Sequence, residues 1–193
     1  MRHRRDIRGN NFLSHPLSDA SIDKILLAAS LAPSVGFSQP WEFVVIRDEK
    51  IKQQIANSFN IENKKAKKTF TTEQQTQYLT LKLESILEAP INIAVFYKPS
   101  KQPVLGKNSM PEMGKYSVVC AVQNMWLMAR AMNIGLGWVS ILDPKQVKTI
   151  LKAPSDHKLV AYCCLGYVAE FFSTPELERL NWKSKKKNEI DSL

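Results

Sequence analysis

KYSVVCAVQNMWLMARAMNIGLGWVSIL, residues 115–142, decides the fold. Residues 115–134 form the longest helical pattern in the chain, and it is apolar nearly all round. A helix of that kind is buried, at a domain centre or between subunits. Gln123, Asn124 and Arg130 interrupt it, so it is too polar to span a bilayer. GLGWVSIL (135–142) follows as a glycine-led strand.

Working outward, the neighbouring stretches alternate in the same way. DPKQVKTILKAP (143–154) predicts a short helix, and KLVAYCCLGYV (158–168) the last core strand. Upstream, INIAVFY (91–97) and WEFVVIR (41–47) are β-branched and aromatic runs, hence strands. In LSDASIDKILLAASLAPS (17–34), Ile22, Ile25, Leu26 and Ala29 share one helical face. Ser18 is its expected N-cap and Pro33 its stop. Residues 48–60 look helical, and the lysine-rich 62–72 an exposed helix or loop. TEQQTQYLTLKLESILEAP (72–90) predicts a second amphipathic helix stopped at Pro90. Residues 98–114 predict a long loop, rich in Pro, Gly, Ser, Asn and Lys; Pro99 to Gly114 is the candidate lid. Four strong strands among helices suggest a three-layer α/β or α+β sandwich built on a small central sheet. The chain reads as one domain over 1–193, with a polar extension at 170–193.

The bulk numbers limit the function. The chain has 193 residues, 44% apolar and 23% charged, with a net charge of +9. That balance is ordinary for a globular protein and leans towards an anionic partner. Cys120, Cys163 and Cys164 make no disulfide framework and read as small buried apolar residues. No signal-peptide pattern opens the chain, so a cytoplasmic protein is expected. No G-x-G-x-x-G, P-loop or G-x-S-x-G is present. His3, His15 and His157 are scattered, so no protein-bound metal is expected. The aromatics mostly lie inside apolar runs, which ranks nucleic-acid binding last.

RHRRDIR (2–8) opens the chain. On its own it fits a solvated basic tail. In an extended stretch, however, Arg4, Asp6 and Arg8 share one side. Arginine forks suit phosphate oxygens, and two of them match a phosphate of about two negative charges. Asp6 could then pair with an arginine or reach a bound ligand.

Taken together, RRDIR (4–8), APSVGFSQPWEF (32–43) and GLGWVSI (135–141) resemble the nitroreductase superfamily of FMN proteins. Within it the chain is similar to the 5,6-dimethylbenzimidazole synthase (BluB) branch. LKLESILEAP, VLGK…MPEM, YSVVCAVQNMW and ELERLNWKSKKK add to that resemblance, which covers nearly the whole chain. It implies an α+β fold, a three-layer α/β/α sandwich with a small central mixed sheet, and a domain-embracing homodimer with two flavin sites between the subunits. It implies flavin contacts from Arg4, Arg5, Asp6, Arg8, Pro33, Ser34, Gln39, Gly137 and Ser140, with Asp6 and Ser140 catalytic. Lys183 or Lys185 would be further phosphate contacts. Lys107 stands where the resemblance leads one to expect Arg. Serine-like residues occupy the Asp6 position in ordinary nitroreductases. The implied reaction fragments reduced FMN with dioxygen to 5,6-dimethylbenzimidazole and erythrose 4-phosphate. A separate flavin reductase would supply the reduced FMN. The alternative is an FMN-dependent NAD(P)H nitroreductase or related reductase.

Overall fold

A computed structural model describes residues 3–186. Its sheet has four strands: β1 (Trp41–Ile46), β2 (Ile91–Tyr97), β3 (Ile134–Val139) and β4 (Lys158–Tyr167). Their order is β1-β2-β4-β3, and every neighbouring pair is antiparallel. The sheet is mixed only where Asp6 makes a single parallel bridge to Leu136 on β3. Side chains alternate across β2. Ile91, Ile93, Val95 and Tyr97 enter one core, while Ala94 and Phe96 enter the other. A strand buried on both faces reads as a near-continuous apolar run, and INIAVFY is one, interrupted only by Asn92, whose buried amide donates to the Ile86 carbonyl and the Tyr162 hydroxyl.

The first face is covered by α1 (Asp19–Ser30) and α4 (Met113–Ala131), the second by α2 (Glu49–Lys67) and α5 (Pro144–Ile150). That is the expected three-layer sandwich. Ser18 caps α1 by accepting the Ser21 N–H, and Ile22, Ile25 and Ala29 are buried. α4 buries Val118, Ala121, Val122, Met125 and Ala129 in the first core. Tyr116, Val119, Cys120 and Gln123 on its other side are exposed. The all-round apolar pattern therefore serves one core stripe and one stripe uncovered in the single chain. Cys120 lies on that outer stripe, so only Cys163 and Cys164 are buried as expected. No helix among the described residues is long and apolar enough to cross a membrane.

Three local expectations are corrected. The 48–60 helix runs on through the first part of the lysine-rich stretch, to Lys67, as one helix, α2, capped by the Asp48 carboxylate. Its last-turn Lys64, Lys65 and Lys67 sit where helix carbonyls are left unpaired, which favours cations. The 72–90 helix stops early, as α3 (Thr72–Tyr78). Beyond it the backbone is committed elsewhere: the Leu83 carbonyl takes a bond from Arg8, and the Glu84 carbonyl one from Gly9 N–H. Tertiary pairing overrides helical periodicity there. β3 ends at Val139, so Ser140 stands just past the strand.

Candidate functional site

From Arg4 onward the basic N-terminal stretch is docked, not frayed. Ile7 N–H donates to the Leu136 carbonyl at 3.1 Å, and the Ile7 side chain is buried in the second core. Gly9 N–H donates to Glu84 O and Ser85 Oγ, each at 3.0 Å. Residues 4–9 are thus clamped between β3 and the irregular segment 83–85. Gly137 makes this approach possible. A Cβ there would lie 2.1 Å from the Ile7 carbonyl oxygen. Gly137 thus faces the docked segment.

With Ile7 inward, Asp6 and Arg8 come together. The Asp6 carboxylate accepts the Trp138 backbone N–H at 2.9 Å and pairs with Arg8 through its other oxygen. Arg8 also donates to Leu83 O at 3.0 Å and Trp138 O at 2.7 Å. Burial pushes the Asp6 carboxyl above the usual range, against the pull of Arg8, the Trp138 N–H and Arg4. Arg4 stacks on Trp126, with its guanidinium carbon 4.3 Å from the ring centroid. Arg5 donates to its neighbour's carbonyl at 2.8 Å and to the Ser173 carbonyl of the C-terminal segment.

Two concavities meet at these side chains. A cavity of about 210 Å³ is lined by Arg4, Arg5, Asp6, Arg8, Lys82 and Glu176, among others. Beside it, a more open cleft of about 520 Å³ is lined by Arg4, Asp6, Gln123, Trp126, Trp138 and Ser140. Arg4 and Asp6 border both. Glu176 lies on α6 (Glu176–Arg179), and burial raises its carboxyl too, against Arg179 and Arg8.

Of the sequence-derived candidates, Arg4, Arg5, Asp6, Arg8 and Ser140 line these two spaces. Pro33, Ser34 and Gln39 belong to the turn before β1. There the Ser34 hydroxyl accepts the Gln39 N–H at 3.0 Å, and Val35 N–H donates to Ser117 Oγ at 3.0 Å. Ser117 and Trp126 lie near opposite ends of α4, about 13 Å apart along its axis at 1.5 Å per residue. Gln39 lines a different cleft, with Trp41, Lys98 and His157. The candidate lid packs on this same turn. A Cβ on Gly36 would meet Leu105 O at 2.7 Å, and Lys107 Nζ sits 5.5 Å from the Tyr97 ring centroid. Lys183 and Lys185 are exposed. Lys187 lies outside the described residues.

Gln123, Trp126, Trp138 and Glu176 were missed from sequence. The tryptophans pass for core filling in apolar runs. Gln123 gave the one available signal: a polar residue breaking the most apolar helix.

The donor set fits FMN. Guanidinium groups around a small cavity suit a phosphate. An adjoining cleft beside the Trp138 indole, with a carboxylate, an amide and a hydroxyl, suits a polar-edged aromatic ring, while the face of the buried Trp126 is already covered by Arg4. Among the described residues, no cluster of His, Cys, Asp and Glu is placed to hold a metal ion.

Comparison with known proteins gives the family and the fold. The family model described as Nitroreductase family matches residues 1–167. The chain is 41% identical over 189 residues to the 5,6-dimethylbenzimidazole synthase of Rhodospirillum rubrum, covering 97% of this chain and 89% of that one. A BluB-like flavoprotein from Clostridium difficile shares the fold with TM-score 0.70 and 20% identity, over 94% of this chain and 91% of that one. So does an iodotyrosine deiodinase bound to FMN and 3-iodo-L-tyrosine, with TM-score 0.76 and 21% identity, over 99% and 94%.

Proposed function

The chain belongs to the nitroreductase family, and from that premise we propose that it is a 5,6-dimethylbenzimidazole synthase. It takes reduced FMN and dioxygen, and releases 5,6-dimethylbenzimidazole, the lower ligand of vitamin B12, and erythrose 4-phosphate. The observation that carries this reading is the likeness to a curated synthase over 97% of the chain at 41% identity. An aspartate at the centre of R-x-D-x-R, facing the cleft, accords with it.

Reduced FMN supplies the electrons for dioxygen and the atoms of both products. The chain's own residues do the rest. Arg4, Arg5 and Arg8 surround the cavity that would receive the phosphate. Arg8 has a second task, since it and the Trp138 N–H fix the Asp6 carboxylate at the border of cavity and cleft. A carboxyl with raised proton affinity, held by two donors, is suited to take and return a proton. Ser140 offers a hydroxyl in the same cleft. Gly137 keeps the segment carrying Asp6 against β3.

The remaining expected contacts are supplied across a homodimer. Within one chain, Pro33, Ser34, Gln39 and the 99–114 loop lie at the far end of α4 from Asp6. Two chains packed through the exposed stripe of α4, with these helices antiparallel, bring one chain's turn to the other's cleft. Phe37, Leu105 and Met110 are exposed on that turn and loop, and they are the apolar surface such a cover needs. Closure there excludes water from the cleft. Electrons arrive from a separate flavin reductase, and the enzyme works in the cytoplasm as one domain with its C-terminal extension.

The test is aerobic incubation with excess reduced FMN, with products identified by mass. 5,6-Dimethylbenzimidazole is the expected product. Repeated NAD(P)H-driven reduction of nitroaromatics, with FMN unchanged, would instead make the chain an ordinary nitroreductase.

A further inference from the structure

Trp126 makes three contacts that converge on the N-terminal segment. Its indole Nε1–H donates to the Arg5 carbonyl at 3.1 Å. Its face carries the Arg4 guanidinium, whose carbon is 4.3 Å from the ring centroid. Its edge meets the Trp138 ring at 6.3 Å between centroids, and Trp138 N–H is the donor to Asp6. The ring itself is fixed, for Trp126 is 8% exposed and packs in the first core. An arginine in a terminal segment samples many rotamers, and ordering it costs entropy. Stacked on an immobile indole, Arg4 is ordered before any anion arrives.

We propose that Trp126 is a positioning residue for Arg4: it pins the backbone at Arg5 and holds the Arg4 guanidinium at the border shared by the cavity and the cleft. Naming the anion as the FMN phosphate rests on the proposed function; the positioning does not. Trp126 serves phosphate recognition through Arg4, so its loss falls on ligands that carry the phosphate. A tryptophan that merely packed the fold would weaken every flavin alike.

The experiment compares Trp126→Leu, Trp126→Phe, Arg4→Met and the pair Arg4→Met/Trp126→Leu, with FMN and riboflavin as probes. Trp126→Leu and Arg4→Met should each weaken FMN binding about 3- to 30-fold, the range of a partly desolvated cation–π contact. Riboflavin binding should change less than about twofold, having no phosphate to lose. The double variant should bind FMN no more weakly than Arg4→Met alone, because the two residues act as one unit. Trp126→Phe keeps a ring face and should restore FMN binding to within about threefold of the native chain. Losses that multiply in the double variant, or equal losses of FMN and riboflavin, would overturn the proposal. Trp126→Phe also gives a reading without flavin. It removes the donor to Arg5, so amide hydrogen exchange at residues 4–7 should rise about two- to tenfold, the worth of one hydrogen bond. Unchanged exchange there would sink the proposal even if Trp126→Leu failed to fold. Because this arm uses no flavin, it fails separately from the proposed function.

Discussion

Asp6 and Trp138 are 132 residues apart in the chain and are joined at 2.9 Å, carboxylate to backbone N–H. The bond ties an N-terminal segment to the end of β3, and with Arg8 it orients the one carboxylate that, among the described residues, borders both the cavity and the cleft. Asparagine at position 6 keeps an oxygen for the Trp138 N–H but cannot exchange a proton. Asp6→Asn should therefore bind FMN within about threefold of the native chain while product formation falls about 10²- to 10⁴-fold, the usual worth of a general acid–base group. Flavin titration and product quantitation check the two halves separately. Full activity would remove Asp6 from the chemistry.

Arg8 should affect both binding and pH response. It is the leading charge that opposes the burial of Asp6. Arg8→Ala leaves burial less opposed, so the Asp6 carboxyl moves further up. If the ionised form is the working one, the acid limb of the pH–rate profile moves to higher pH. FMN affinity should fall more than riboflavin affinity. A variant whose acid limb stays in place would show that Asp6 does not set it.

Asp6 also leaves a signature in stability. Its carboxyl titrates higher in the folded chain than the ordinary value of 3.8. The folded state thus binds the proton more tightly, and this contribution favours folding below pH 3.8. It is lost as pH rises through the folded value. Asp6→Asn abolishes that contribution. Denaturant unfolding across this window should show native minus variant stability declining as pH rises; a difference growing with pH would mean the Arg8 pairing outweighs burial.

Gly137 has no room for a methyl, since its Cβ would stand 2.1 Å from the Ile7 carbonyl oxygen. Gly137→Ala should push residues 4–9 off β3, cost about 1–3 kcal/mol as overpacking does, and abolish FMN binding. Thermal unfolding and flavin titration read both. An alanine variant that binds FMN normally would show that the segment need not dock where it does.

Cys120 reports on the dimer. It is exposed in the single chain, whereas Cys163 and Cys164 are buried, with burial pushing both thiols well up. The proposed dimer covers the stripe of α4 that carries Cys120. Native protein should therefore label slowly at all three thiols, and dilution below the dimer's dissociation range should release Cys120 alone. Rapid labelling of Cys120 in a dimer of proven size would place the interface elsewhere.

Much of this was legible in the sequence, for identifiable reasons. The strands showed because each is buried on both faces or framed by turns, and INIAVFY is the plainest case. Arg4, Asp6 and Arg8 could be grouped because extended backbone has a fixed period. The 79–90 region could not be read, since its carbonyls are claimed by Arg8 and Gly9, some 75 residues away. Trp126 and Trp138 were hidden by their own apolarity: nothing in an apolar run marks which indole carries an arginine. The separation of Ser34 from Asp6 is a matter of distance along α4, and only the folded chain sets that scale.

The most direct measurement is a mass balance over a single turnover. Isotopically labelled FMN, chemically reduced, is bound to the purified protein and exposed to air. Flavin should disappear in step with the appearance of labelled 5,6-dimethylbenzimidazole and erythrose 4-phosphate, in equal amounts. Recovery of the label as intact oxidised FMN, with hydrogen peroxide as the other product, would contradict the proposed function.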